Sequence, residues 1–157
     1  MSPLDPRHPT YYISCVGEMT KPLSRTVDVL KALAHPVRLR ILAMLRGGEL
    51  CLCQMTAVLD LAASTVSAHL ADLKRAGLVE ERKDGRWVFH RLAEGEAASA
   101  HLEPVWGAIV RDPQVESDAR VLRELRRVPV EDLCRVDLDL RRLGIERPVV
   151  AGPRPRA

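Results

Sequence analysis

The stretch from Ser64 to Leu92, STVSAHLADLKRAGLVEERKDGRWVFHRL, decides the fold. In its first half Val66, Leu70 and Leu73 recur at helical spacing. Ser64, Ala68, Ala71 and Arg75 lie opposite, with Ser67 and Asp72 on the flanks. Ser64 is expected to cap this helix, which runs to about Ala76 and is closed by Gly77. Two strand-like runs follow, Leu78–Arg82 and Arg86–Leu92, joined by a turn at Lys83-Asp84-Gly85. An Asp-Gly pair between runs rich in Val, Trp and Phe is a strong hairpin signal.

Upstream, Ser24 can cap a first helix whose stripe is Val27, Leu30, Leu33 and Ala34. His35-Pro36 breaks the chain, and Pro36 suits the first turn of a second helix with Val37, Ile41, Met44 and Leu45 buried. Gly47-Gly48 ends it, and Glu49 to Leu59 reads as a short entry segment and a third helix. Leu61 to Ala63 then turns into the helix already described. Downstream, a fifth helix lies within Gly95–Arg111 and contains Pro104. Asp112-Pro113 starts a sixth, running to about Arg127. Pro129 opens a seventh through Leu133, Val136, Leu140 and Leu143, stopped by Gly144.

The expected fold class is mainly α with a small β-hairpin: a winged helix-turn-helix with extra C-terminal helices. The expected division is an N-terminal arm (1–23), the DNA-binding unit (24–92), a helical dimerisation and extension region (93–146) and a disordered tail (147–157). The composition agrees, with 46% hydrophobic and 29% charged residues, as in ordinary globular proteins. Residues 24–92 hold 11 Lys/Arg against 7 Asp/Glu, so the modest positive excess sits in the middle of the chain. The N-terminus lacks the apolar core of a signal peptide, and no apolar run approaches the roughly 20 residues that cross a bilayer. A cytoplasmic location, no membrane partner and reduced cysteines are the expectation.

Two helices joined by a tight turn and followed by a hairpin suit DNA. The major groove admits one helix, and short polar side chains near that helix's N-terminus reach base edges. Here those are Ser64, Thr65, Ser67 and His69. Lys83 and Arg86 stand where a wing meets the neighbouring backbone. His69 has an equal reading as a residue bonded within the fold.

Segments Ala32–Leu42, Glu49–Met55, Ser64–Leu70, Gly77–Val79 and Lys83–Val88 occur in an order that closely resembles the ArsR/SmtB family of metal-sensing repressors. The resemblance covers about Arg25 to Leu92. It implies a homodimer that docks paired recognition helices on an imperfect inverted repeat of double-stranded DNA and lets go when an ion binds. It also implies that Ser64, Thr65, Ser67, Ala68 and His69 face DNA, with Lys83 and Arg86 as wing contacts. Leu102, Trp106 and Ile109 of the fifth helix are expected to pair the subunits. No nucleophile–base signature supports an enzyme.

The chemistry lies in Cys51-Leu52-Cys53. Two cysteines two apart on a regular helix point opposite ways, so they share an ion only at a helix end, where the first is not yet helical. A helix N-terminus also lowers a thiol's pKa. The resemblance adds that Glu-Leu-Cys-x-Cys marks the branch sensing arsenite, antimonite, cadmium or lead. This chain departs from that branch in two respects: Thr56 stands where the arsenite repressors carry a third cysteine, and the N-terminal arm, from which the cadmium/lead repressors bring cysteines, offers one, Cys15. Cys15 of the arm, with Cys51 and Cys53, would make a three-thiolate site suited to As(III), Sb(III) or Pb(II), and to Cd(II) with a further ligand. Cys134 is the rival third ligand, its alternative being a packing residue, and the expectation favours Cys15. His101 stands without the Asp-x-His pattern of the family's zinc site on the fifth helix. A second reading keeps the DNA-binding fold and makes Cys51 and Cys53 sensors of oxidants or reactive sulfur.

Overall fold

The computed structural model describes residues 23–150. Helix α1 occupies residues 23–33. It is followed by α2 (Pro36–Leu45), β1 (Leu50–Cys51), α3 (Leu52–Leu59), α4 (Ala63–Arg75), β2 (Val79–Asp84) and β3 (Trp87–Leu92). Then come α5 (Glu96–Ile109), α6 (Pro113–Leu125), α7 (Val130–Arg135) and a short 3₁₀ turn, Leu140–Leu143. The strands form one antiparallel sheet in the order β1-β3-β2.

The local signals act largely as chemistry dictates. His35 is extended and its Nδ1 accepts the Val37 N–H at 3.2 Å, so it caps α2 while Pro36 fills the first position. Asp112 caps α6 by accepting from the N–H groups of Gln114 and Val115. Gly77 ends α4 in the left-handed region, with Leu78 N–H donating to Leu73 and Gly77 N–H to Lys74, the paired bonds of a Schellman cap.

Four details differ from the sequence reading. Helix α4 begins at Ala63 with Ala62 as its cap, leaving Ser64 inside the first turn. Residue 24 likewise lies within helical backbone. The hairpin turns at Gly85-Arg86, one residue later than expected, because Asp84 still pairs with Trp87 and Gly85 supplies the positive φ. The expected seventh helix is two pieces: Asp137 and Leu138 adopt left-handed backbone, and the Asp139 carboxylate restarts the chain by accepting from Arg141 N–H.

One apolar core serves the whole described chain. Ile41, Leu42, Met55, Val66, Leu73 and Leu78 belong to the same cluster as Val121, Leu125, Leu133 and Leu140. The extension is therefore packed onto the DNA-binding unit, α6 against α2 and α3, and α7 against α3. An ion pair reinforces this. Arg40 of α2 donates to both oxygens of Asp118 on α6, at 2.6 and 2.8 Å, and Asp118 is 3% exposed. Leu102 and Trp106, expected at a subunit interface, are instead buried in their own chain's core; Ile109 is partly buried against it. An apolar stripe is satisfied equally by its own chain, and Arg46 stacks over the Trp106 ring at 5.3 Å. Among the described residues no helix is long and apolar enough to cross a membrane.

Candidate nucleic-acid interface and thiol site

Helix α4 turns Val66, Leu70 and Leu73 inward and leaves Ser64, Thr65, Ser67 and Ala68 exposed on its outer face. These short side chains, on a helix of 13 residues, are the group expected to meet base edges. His69 is only partly exposed. Its ring lies 4.5 Å from that of His35, and burial, then the neighbouring His35 and Arg38, hold its pKa below the usual histidine value. His69 is therefore a neutral ring at neutral pH, stacked on the cap of α2. Sequence reasoning did not anticipate His35 as its partner. Arg38 holds the same corner, donating to the carbonyls of Lys31 and Ala32 and pairing with Asp72 of α4 at 3.4 Å.

The wing is a stiff, charged hairpin. Arg82 is tied to Glu49 and Asp84 and lies over Phe89 at 5.2 Å. Lys83 and Arg86 are exposed at the tip, Arg86 lying 5.0 Å from the Trp87 ring centre. Stacking keeps the guanidinium extended while leaving its charge for a phosphate.

The thiols lie where this sheet meets α3. Cys51 is the last residue of β1, paired with Phe89 of the wing strand, and also the extended N-cap of α3. Leu52 is the first helical residue, so Cys53 falls in the first turn. This satisfies the requirement that the first cysteine not be helical. Gln54 locks the entry, its side-chain oxygen accepting the Cys51 N–H at 3.0 Å. Cys51 is 1% exposed, yet its pKa is lowered to about 7. The Cys53 thiol donates to the Cys51 sulfur, and the N–H groups of Gln54 and Cys53 add to the effect, outweighing burial. The converse holds for Cys53. Its proton is shared with Cys51, and its pKa is raised.

Cys134 of α7 completes the row: its thiol donates to the Cys53 sulfur across 3.5 Å. Burial, then that contact, raises its pKa to about 11. All three are free thiols. They form a chain of contacts through Cys53, not a closed cage; among the described residues no three His, Cys, Asp or Glu groups are already arranged to hold an ion. Cys15 lies outside the described residues. Thr56, in the position of the usual third cysteine, is buried, and its hydroxyl has no hydrogen-bond partner among the described residues. The Nδ1 of His101 bonds the Ala97 carbonyl of its own helix at 2.6 Å.

Residues 35–81 match the model for bacterial regulatory proteins of the arsR family. The chain is 39% identical over 87 residues to the arsenical resistance operon repressor of Escherichia coli, covering 55% of this chain and 68% of that protein. The chain belongs to the ArsR family. It is also 42% identical over 77 residues to the arsenic resistance transcriptional regulator ArsR1 of Pseudomonas putida, 48% of this chain but only 59% of that relative's length. Among solved structures, the homodimeric winged helix-turn-helix DNA-binding domain Mb0332 of Mycobacterium bovis, a fragment of 100 residues, superposes with a TM-score of 0.53 at 34% identity. That match covers 62% of this chain and 88% of the fragment. Like other ArsR-family members, the chain is a DNA-binding transcriptional regulator.

Proposed function

We propose that this ArsR-family chain is a cytoplasmic, homodimeric repressor that leaves an imperfect inverted repeat of DNA when a thiophilic ion, As(III) or Sb(III) foremost, binds Cys51 and Cys53. One observation carries the reading. A buried cysteine with a pKa near 7 stands at the N-cap of α3, its sulfur in contact with a second thiol and its backbone hydrogen-bonded into the wing sheet. Soft thiolates select soft ions, and a near-neutral pKa makes the ligand available without an alkaline medium. The names of two relatives, both arsenical-resistance regulators, point the same way. Pb(II) and Cd(II) are the other ions that thiolates favour.

Contact with DNA is assigned to Ser64, Thr65, Ser67 and Ala68 as direct readers and to Lys83 and Arg86 as phosphate contacts, with His69 supporting the helix from its inner edge. Dimer pairing is assigned chiefly to the apolar side chains left outward: Leu23, Val27 and Leu30 of α1, which recur at helical spacing at 65%, 37% and 58% exposure, with Val110 just past α5 and the partly exposed Ile109 beside it. Switching follows from position. Helix α3 packs on the recognition helix α4, and β1 pairs with the wing strand, so an ion that draws on Cys51 and Cys53 pulls on both DNA-facing elements. A coupling of about 1–3 kcal/mol, or roughly 5–150-fold in affinity, is the usual scale of such a switch.

A second reading has its own support: Cys53 and Cys134 sulfurs are 3.5 Å apart, and a peroxide could oxidise the pair to a disulfide as they close to about 2.05 Å. The test is release of a fluorescent duplex, selected from a random pool, on adding arsenite, antimonite, Pb(II), Cd(II), peroxide or persulfide to reduced protein. Release by a thiophilic ion, abolished by Cys53→Ser, supports the first reading. Release by peroxide or persulfide alone overturns it.

A further inference from the structure

The C-terminal helices lie outside the recognition helix and the wing, yet they are built firmly onto α3. Leu133 of α7 is 1% exposed, and Leu140 and Ile145 are buried behind it. Farther along, Arg147 donates to the Ala57 carbonyl and pairs with the Asp60 carboxylate at the C-terminal end of α3. The extension thus grips both ends of α3. At the N-terminal end, the residue it presents is Cys134, beside Cys53.

We infer that Cys134 is the third sulfur of the inducer site, so that the ion is held by Cys51, Cys53 and Cys134 of a single chain and the extension is part of the sensor. This rests on the metalloid reading above. Two ligands on one ion with metal–sulfur bonds of about 2.3 Å, as in zinc thiolates, sit roughly 3.4–4.0 Å apart. The Cys53–Cys134 separation of 3.5 Å already falls in that range. Cys51 and Cys53 meet at the entry of α3, Cys51 as its extended N-cap and Cys53 in its first turn. What remains is the gap between the two outer sulfurs. Closing it turns the row into a cage, and because Cys51 belongs to the wing sheet and Cys134 to α7, closure moves one against the other.

The chemistry balances without an oxidant. Arsenite, As(OH)3, exchanges three As–O bonds for three As–S bonds. Its three hydroxyls leave as water, taking the protons of the thiols, with solvent supplying the proton where Cys51 is already a thiolate. Arsenic stays trivalent. Cys134 replaces the ligand that Thr56 cannot supply, and Cys15 is then not required.

The experiment compares two probes on the full, reduced chain: arsenite, which takes three thiols, and phenylarsine oxide, which takes two. The expected result is that Cys134→Ser and Cys134→Ala each weaken arsenite binding by about tenfold or more. Phenylarsine oxide binding, which Cys51 and Cys53 suffice for, should persist, and circular dichroism should show both variants folded. Cys15→Ser should bind both probes as the unaltered chain does. X-ray absorption should count three sulfurs around arsenic in the unaltered chain and two in Cys134→Ser. Arsenite binding undiminished in both Cys134 variants overturns the inference, as does its loss in Cys15→Ser alone. If the unaltered chain binds neither probe, the metalloid reading itself fails, which is a separate outcome.

Discussion

The DNA-facing half and the thiol half of this molecule are built on opposite principles. The recognition helix and wing lie within 30 consecutive residues, 63–92, and the contacts that start and stop them are local: a Schellman cap at Gly77, a two-residue turn at Gly85-Arg86, ion pairs such as Lys74 with Glu81. The thiol site joins residues 81 apart in the chain and needs α6 and α7 to be docked before it exists. A local structure is a reliable tool for reading a groove. A structure assembled from distant parts can change shape when one part is pulled, which is what a sensor requires.

That contrast can be broken experimentally. The largest effect is expected at the joint between the halves. Arg40→Ala leaves the nearly buried Asp118 carboxylate without its guanidinium, which should cost about 3–5 kcal/mol of stability in denaturant unfolding. It should also impair the arsenite response. A variant with weakened docking but a full response would show that the extension is not part of the switch.

Next is Gly77→Ala. Nothing lies within 4 Å of the added methyl, so its cost is purely that of a left-handed L-residue, about 1–2 kcal/mol. Because Gly77 caps only the recognition helix, duplex affinity should fall while arsenite binding by the free protein stays the same.

Lys83→Ala acts more weakly still. It should lower affinity for all duplexes alike and reduce the slope of log affinity against log salt by about 1, as expected for one phosphate contact. An unchanged slope would remove Lys83 from the interface.

The smallest effect concerns pH. Burial lowers the pKa of both His69 and His90 below 6.5, so the unfolded chain binds these protons more readily than the folded one. Their contribution to stability is complete above about pH 6.5 and is lost as pH falls below it. Urea unfolding between pH 7.5 and 5 should show that decline, and it should be shallower in the His69→Gln, His90→Gln double variant.

The same contrast explains what the sequence made legible. The outward face of α4, the hairpin, the start of α2 at Pro36 and the start of α6 are each written in neighbouring residues, and each was readable. The need for Cys51 to precede the helix was readable too, since it follows from helix geometry. Strand β1 was not, because two residues carry no periodicity and only pairing with Phe89 defines it. The contact between Cys53 and Cys134 was hidden for a related reason. Cys134 looks like a packing residue beside Leu133, and only the docking of α7 on α3 sets its thiol by Cys53. The outward apolar stripe of α1 was likewise masked, since α5 offers an equally good stripe that folds inward instead.

The most direct measurement exploits reciprocity. If the ion weakens DNA binding through Cys51 and Cys53, then bound DNA must weaken ion binding by the same factor. Isothermal titration of arsenite into the free dimer and into the dimer saturated with its selected duplex measures this. The account predicts weaker arsenite binding on DNA, by the same factor that arsenite reduces duplex affinity, and no such difference in Cys53→Ser. Equal arsenite affinity with and without DNA would contradict it.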